Sequence, residues 1–182
     1  NFVANGRYRC YYCKSELFHV LKYIAQQEGL KWVADGSNCD DLADFRPGRQ
    51  AAGELGVRSP LVEAGMNKAD IRSLSREMGL PTWDKPSLAC LASRLPYGTP
   101  VTAATVEQVA QAEDYLLSLG LKQVRVRHHG TIARIEVAPQ DIPLFMDSER
   151  RQEVVEKLRS FGYTYITLDL QGYRSGSLNE VA

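Results

Sequence analysis

Trp83-Asp-Lys-Pro-Ser-Leu-Ala-Cys-Leu-Ala-Ser-Arg-Leu-Pro-Tyr-Gly-Thr-Pro-Val-Thr102 divides the chain into two halves. Pro86, Pro96 and Pro100 each remove a backbone donor and fix φ, and Gly98 follows a Pro-Tyr turn, so no long helix or strand crosses this stretch. A connector of this length inside a globular chain is usually functional or disordered. Its Cys, Ser, Arg and Tyr are richer in reactive groups than a plain linker needs. Cys90 is therefore the first candidate for chemistry.

Working back from the connector, residues 14–28 place Leu17, Phe18, Val20, Leu21, Tyr23, Ile24 and Ala25 on a helical stripe that ends at Gly29. Lys31-Trp-Val-Ala-Asp-Gly36 reads as a short buried strand whose carboxyl end enters the loop Ser37-Asn-Cys-Asp-Asp41. Ligands of open α/β sheets sit at such strand ends, which places Asn38, Asp40 and Asp41 at a site. The equally weighted reading is that Asp40 or Asp41 caps a following helix. Arg46-Pro-Gly-Arg49 is a turn, residues 50–56 a short helix, and Ser59-Pro-Leu-Val-Glu63 a brief strand. A helix capped by Asn67 then runs through Ile71, Leu74 and Met78 to Gly79. Strand and helix in alternation predict an α/β fold with a parallel, incomplete Rossmann-like sheet.

Past the connector the grammar changes. Residues 103–118 form a helix stopped by Gly120, residues 121–128 and 131–137 alternate as strands about His129-Gly130, residues 143–161 carry another helix, and residues 163–170 a third strand. This is a small α+β module. The expected division is 1–100 for the α/β domain, including the Cys90 loop, and 101–182 for the second domain.

With 182 residues and 44% hydrophobic composition, the chain can bury a real core. Its 22 basic and 22 acidic residues cancel, so no overall field draws it to nucleic acid or an anionic membrane. Apolar runs fall well short of the roughly 18 to 20 residues that span a bilayer, and no secretory leader pattern opens the sequence. A cytoplasmic protein is the expectation. Four cysteines, at 10, 13, 39 and 90, do not make a disulfide framework and are expected to be reduced.

Arg9-Cys-Tyr-Tyr-Cys-Lys14, Asp35-Gly-Ser-Asn-Cys-Asp-Asp41 with Arg46-Pro-Gly48, and Lys85-Pro-Ser-Leu-Ala-Cys-Leu-Ala-Ser-Arg94 together resemble the LarE family. These are ATP-dependent sacrificial sulfur transferases of the PP-loop superfamily. Ser59-Pro-Leu-Val-Glu63, Lys68-Ala-Asp-Ile-Arg72 and Gly79-Leu-Pro81 are similar to the wider superfamily, and the resemblance continues through Val124-Arg-Val-Arg-His-His-Gly130 and Ala133-Arg-Ile-Glu136. Each motif is weak alone; their order is specific. The superfamily's Ser-Gly-Gly-x-Asp-Ser loop, which holds the pyrophosphate of ATP, does not occur in this sequence. With the polar opening from Asn1 to Arg9, that points to a chain lacking the family's first strands.

The resemblance implies an adenine nucleotide alpha hydrolase-like fold, ATP and Mg2+ as cofactors, a homo-oligomer, and a pyridinium dicarboxylate mononucleotide as substrate. In the family's reaction ATP adenylates a carboxylate, a cysteine displaces AMP, and the Cβ–S bond then breaks. Sulfur leaves as thiocarboxylate and dehydroalanine stays in the protein, on the way to the nickel-pincer cofactor of lactate racemase. By motif match the cysteine is Cys90. The absence of further cysteines among Leu88, Ala89, Leu91 and Ala92 favours the sacrificial reaction, with no iron–sulfur cluster. Tyr11, Lys14 and Ser93 are implied to line the nucleotide or pyridinium site.

The residues themselves fit those demands in part. A thiol ionises beside cations, and Lys85 and Arg94 flank Cys90; a buried, inert cysteine is the competing reading. Arg125 and Arg127 alternate on one strand and share a face, which suits a phosphate or, equally, an exposed soluble face. Glu113 and Glu136 could pair with that face or help hold a divalent metal. His128 and His129 read as surface residues at a turn. Cys10-x-x-Cys13 could be half a zinc site, but a second pair is missing and a packing role is preferred. Two other functions compete: another PP-loop activity such as tRNA thiolation or amidation, which zero net charge disfavours, and an ATP-incompetent remnant with a binding or structural role.

Overall fold

A computed structural model describes residues 1–43, 46–85 and 88–174. The chain forms two compact units, the first comprising residues 1–2 and 6–85, the second residues 3–5 and 86–182. The expected boundary at residue 100 thus moves to 85, and the Cys90 segment belongs with the second unit. Side-chain bonds from that segment to the helix and sheet that follow it, set out below, are the reason.

The first unit is mostly helical. Helix α1, Arg9–Gln27, buries Phe18 and Ala25 and packs on α2, Pro47–Glu54, through Ala51 and Ala52. Pro47 starts α2 at a position where a missing N–H is harmless. A Cβ on Gly48 would meet Cγ of Lys14 at 3.0 Å, so glycine permits this close approach. The short α3, Pro60–Glu63, precedes α4, Lys68–Glu77, which opens on a capping box: Asn67 Oδ1 accepts from the amides of Ala69 and Asp70, and Asp70 accepts from the Asn67 amide.

Two sequence expectations fail here. Residues 59–63 are a helical turn, with the Glu63 amide donating to the Ser59 carbonyl at 3.0 Å, because Pro60 suits a helix start as well as a strand start. Residues 31–35 contribute only an isolated parallel bridge, Ala34 with Arg58, and Lys31, Trp32 and Ala34 are exposed. Among the described residues, the first unit therefore has no sheet beyond this bridge. The α/β class stands, whereas the parallel Rossmann-like sheet is not present in the described residues.

The second unit follows its expected order. Helix α5, Ala103–Ser118, leads to β1, Val124–His129, and β2, Ile132–Val137, which pair antiparallel with Val126 opposite Ile135. Gly130, at φ 63°, takes the first loop position of this hairpin, where glycine is favoured. A 3₁₀ segment, Pro139–Met146, and helix α6, Ser148–Ser160, then return the chain to β3, Tyr165–Leu168, parallel to β2. The sheet order is β1-β2-β3. Val124, Val126, Ala133, Ile135 and Val137 form its apolar face and pack with Ala112 and Leu116 of α5 and Val154 and Leu158 of α6. Alternation sends Arg125, Arg127, Arg134 and Glu136 to the opposite face.

The beginning of the chain is stitched into this unit. Asn5, fully buried and at φ 52°, donates through Nδ2 to the carbonyls of Pro96 at 2.7 Å and Thr99 at 2.9 Å. Val101 and Gly98 donate their amides to the Val3 and Asn5 carbonyls. Asparagine is among the few residues that tolerate a left-handed backbone.

Candidate active site

The connector around Cys90 is irregular except for one 3₁₀ turn, Leu91–Arg94, closed by the Ser93 amide donating to the Cys90 carbonyl at 2.9 Å. Cys90 itself is exposed, so the buried, inert reading of this cysteine does not hold. The residues beneath it are not exposed. Arg94, at 2% exposure, points inward rather than toward solvent. Its Nε and Nη2 grip Glu113 of α5 at 2.8 Å each, a bidentate fork. The remaining terminal nitrogen, Nη1, donates to the Ala89 carbonyl at 3.0 Å, the Cys90 carbonyl at 3.2 Å and Ser93 Oγ at 3.0 Å. A single guanidinium thus fixes the backbone on which Cys90 sits.

A second fork lies beside the first. Arg127 Nε and Nη2 bind Glu136 at 2.9 and 2.8 Å, and its Nη1 donates to the Ser93 carbonyl at 2.9 Å. Arg134 adds a third donor to Glu136 at 3.0 Å. Arg125 donates to the Val124 carbonyl at 2.7 Å and its guanidinium stands 5.3 Å from the centre of the Tyr173 ring. Burial, and then the positive charge of Arg94, push Arg125 below its ordinary pKa, against the pull of Glu113. Arg94, Arg125, Arg127 and Arg134 gather about the carboxylates of Glu113 and Glu136, and Asp169 Oδ2 lies 3.8 Å from Arg134 Nε.

These distances decide several expectations. Arg125 and Arg127 do share a strand face, but it is covered: both are buried, at 5% and 7% exposure. Glu136 pairs with that face, the first of the two roles considered for it. Glu113 pairs with Arg94 instead, and its Oε1 also accepts the Val126 amide at 2.8 Å. Arginines therefore engage the carboxylates that were candidates for a metal. Among the described residues no group of three or more His, Cys, Asp or Glu could hold one. His128 is buried rather than superficial, its Nδ1 3.4 Å from Tyr163 Oη, and burial lowers its pKa. Burial, followed by the charge of Glu113, pushes Tyr163 up to about 12. His129 is exposed as expected.

The other expected residues belong to the first unit. Tyr11 donates its hydroxyl to Glu54 at 2.6 Å, and Lys14 Nζ stands 5.4 Å from the centre of the Phe18 ring. Asp40 accepts the amide of Lys68, the first residue of α4, at 2.8 Å, while Asp41 accepts the Asn38 amide and pairs with Arg46 at 2.8 Å. Asp41 thus serves the local turn at the start of the short helix, one of the two readings left open, whereas Asp40 reaches 28 positions along the chain to the start of α4. Lys85 is exposed, and its carbonyl accepts from Arg72. Cys10 and Cys13 are free and exposed. An open groove of about 590 Å³ is lined by Asn1, Phe2, Tyr12, Cys13, Ser15, Glu16 and His19; Tyr12, which the resemblance places with Tyr11 and Lys14 at the nucleotide or pyridinium ring, is among them, and Tyr11 and Lys14 are not.

Sequence reasoning gave no role to Arg134, Tyr173 or Asn5. Arg134 left a signal, since it alternates with Glu136 on one strand. Tyr173 and Asn5 left none, because each acts through the tertiary fold.

No family model matches the chain. It is 49% identical over its whole length to an uncharacterized protein of Synechocystis, of which it spans 68%. Over 93% of its length it is 44% identical to the pyridinium-3,5-bisthiocarboxylic acid mononucleotide synthase of Lactiplantibacillus plantarum, spanning 61% of that protein. A probable tRNA sulfurtransferase of Methanothermobacter thermautotrophicus is 30% identical over 61% of the chain, which spans 28% of it. The ordered motifs and these relatives agree: the chain belongs to the LarE family.

Proposed function

We propose that this chain takes part in sulfur transfer for cofactor biosynthesis, with Cys90 as the sulfur donor and an adenylated carboxylate of a pyridinium dicarboxylate mononucleotide as acceptor. The observation that carries the reading is an exposed Cys90 held by its own backbone over a buried arginine cluster. The thiolate Sγ attacks the acyl carbon and AMP departs with the electrons of the C–O bond, leaving a thioester on Cys90. A solvent base then removes the Cα proton, the freed pair forms the Cα–Cβ double bond, and the Cβ–S bond breaks. Thiocarboxylate leaves and dehydroalanine remains, so one chain delivers one sulfur.

Arg125 and Arg127 are the proposed source of positive potential for the substrate phosphate. Buried guanidinium groups crowded by other cations gain most from an added anion. Tyr11 and Lys14 are the proposed nucleotide-facing residues of the first unit. Mg2+ would be held with the phosphates of ATP, and no step is assigned to it. The tRNA reading draws on a relative that matches less of the chain and on no basic surface field.

The test supplies the acyl-adenylate ready made, so that it does not depend on how ATP is held. Intact mass after reaction should fall by about 34 Da at Cys90, the mass of H₂S lost when a thiol becomes dehydroalanine. Cys90→Ala should give no thiocarboxylate. Thiocarboxylate formed with the protein mass unchanged would remove the sacrificial step.

A further inference from the structure

The Cys90 carbonyl accepts two hydrogen bonds, one from the Ser93 amide at 2.9 Å and one from Arg94 Nη1 at 3.2 Å. The first merely closes a 3₁₀ turn. The second is unusual, because it brings a buried full positive charge to the carbonyl of the residue proposed to react. That carbonyl is not a spectator in the elimination half of the reaction. When a base takes the Cα proton of Cys90, the electron pair left on Cα delocalises onto this same oxygen, and the peptide becomes an enolate. The geometry points to Arg94 as a catalytic residue that stabilises the Cys90 enolate during β-elimination, a step distinct from acyl transfer to sulfur; this rests on the sulfur-donor reading above.

Three features support the assignment. Arg94 is held still by the fork to Glu113, so its Nη1 is aimed before the reaction begins, and a preorganised donor needs no reorganisation when charge develops. The Arg94 side chain is 2% exposed beneath the exposed Cys90, which limits screening of its charge by water. The two hydrogen bonds on one carbonyl form a pair of donors converging on the oxygen where negative charge appears, the arrangement of an oxyanion hole. Electron and atom balance are complete. The Cα proton passes to solvent base, its pair makes the double bond, and the Cβ–S pair leaves with sulfur.

The test bypasses substrate and ATP. An α,α′-dibromoadipamide alkylates a thiolate twice, losing two bromides, to give a cyclic sulfonium. Solvent base then takes the Cα proton and the tetrahydrothiophene leaves, forming dehydroalanine. The chain carries internal references in the exposed Cys10 and Cys13. In the unaltered protein, peptide-resolved mass spectrometry should show the sulfonium of Cys90 eliminating about 100-fold faster than those of Cys10 and Cys13, the scale of one oxyanion donor. Arg94→Lys, which cannot serve Glu113 and the Cys90 carbonyl together, should bring Cys90 to the reference rate while its alkylation by iodoacetamide stays unchanged.

A purely structural role would alter both steps together. Cys90 eliminating no faster than Cys10 and Cys13 in the unaltered protein, a result that needs no variant to fold, would overturn the assignment. So would an unchanged elimination rate in Arg94→Lys. Because no acyl-adenylate is involved, this outcome is independent of whether Cys90 proves to be the sulfur donor.

Discussion

Glu113 receives three hydrogen bonds, two from Arg94 and one from the amide of Val126 on the free edge of β1. It answers a buried charge and an unpaired strand amide at once. Glu113→Ala leaves the Arg94 charge without this carboxylate and the Val126 amide without its acceptor, and the expected loss is about 3 to 5 kcal/mol, the cost of breaking a buried ion pair. Arg134→Ala removes a guanidinium that is 40% exposed and should cost about 1 kcal/mol or less. Urea unfolding midpoints of the two variants check the contrast. The sequence placed Arg125 and Arg127 on one face, because alternation along a strand is local. It could not tell which face the connector covers, since Glu113 and Arg94 are 19 positions apart and meet only through the fold.

Elements with local punctuation were legible. α5 runs from Ala103 to Ser118 as its apolar spacing predicts, and Thr102 and Thr105 cap it reciprocally. Thr102→Ala should destabilise the second unit by about 1 kcal/mol, read as a shift in urea midpoint, with Thr102→Ser retaining most of the stability. The hairpin was legible for the same reason, as Gly130 supplies the positive φ its loop demands. Residues 31–35 and 59–63 were not. Trp32-Val-Ala34 and Leu61-Val62 after Pro60 are apolar runs too short for their periodicity to tell strand from helical turn, and only tertiary partners decide between them.

For the whole molecule, acid should loosen the two units at different pH. Burial holds His128 below its usual value of 6.5, so the folded second unit keeps it neutral while the unfolded chain protonates. That contribution is complete above about pH 6.5 and fades as pH falls through the folded value. In the first unit, burial pushes Asp35 up, but hydrogen bonds from Ser59 and Ser37 and the charge of Lys14 outweigh it and hold the carboxyl below 3.8. Its contribution is present above that value and is lost only as pH falls beneath it. Hydrogen-exchange protection should therefore weaken first in β1 and β2, as pH falls below about 6.5, with His128→Gln flattening the trend. Protection around Asp35 should hold to about pH 4. No helix among the described residues is long and apolar enough to cross a membrane.

The contact between Asn5 and Pro96 spans 91 residues of chain. A ribosome would release the asparagine long before the turn that receives it, and every residue from 6 to 85 would emerge in between. The second unit is therefore begun by residues 3–5, made ahead of the bulk of the first unit, and cannot be finished until that unit has had its chance to fold. Closing so long a loop is entropically costly while the intervening segment is a coil, and cheaper once that segment is compact. Biogenesis would then run in one order, with the helical unit first and the thiol-bearing turn among the last pieces to settle.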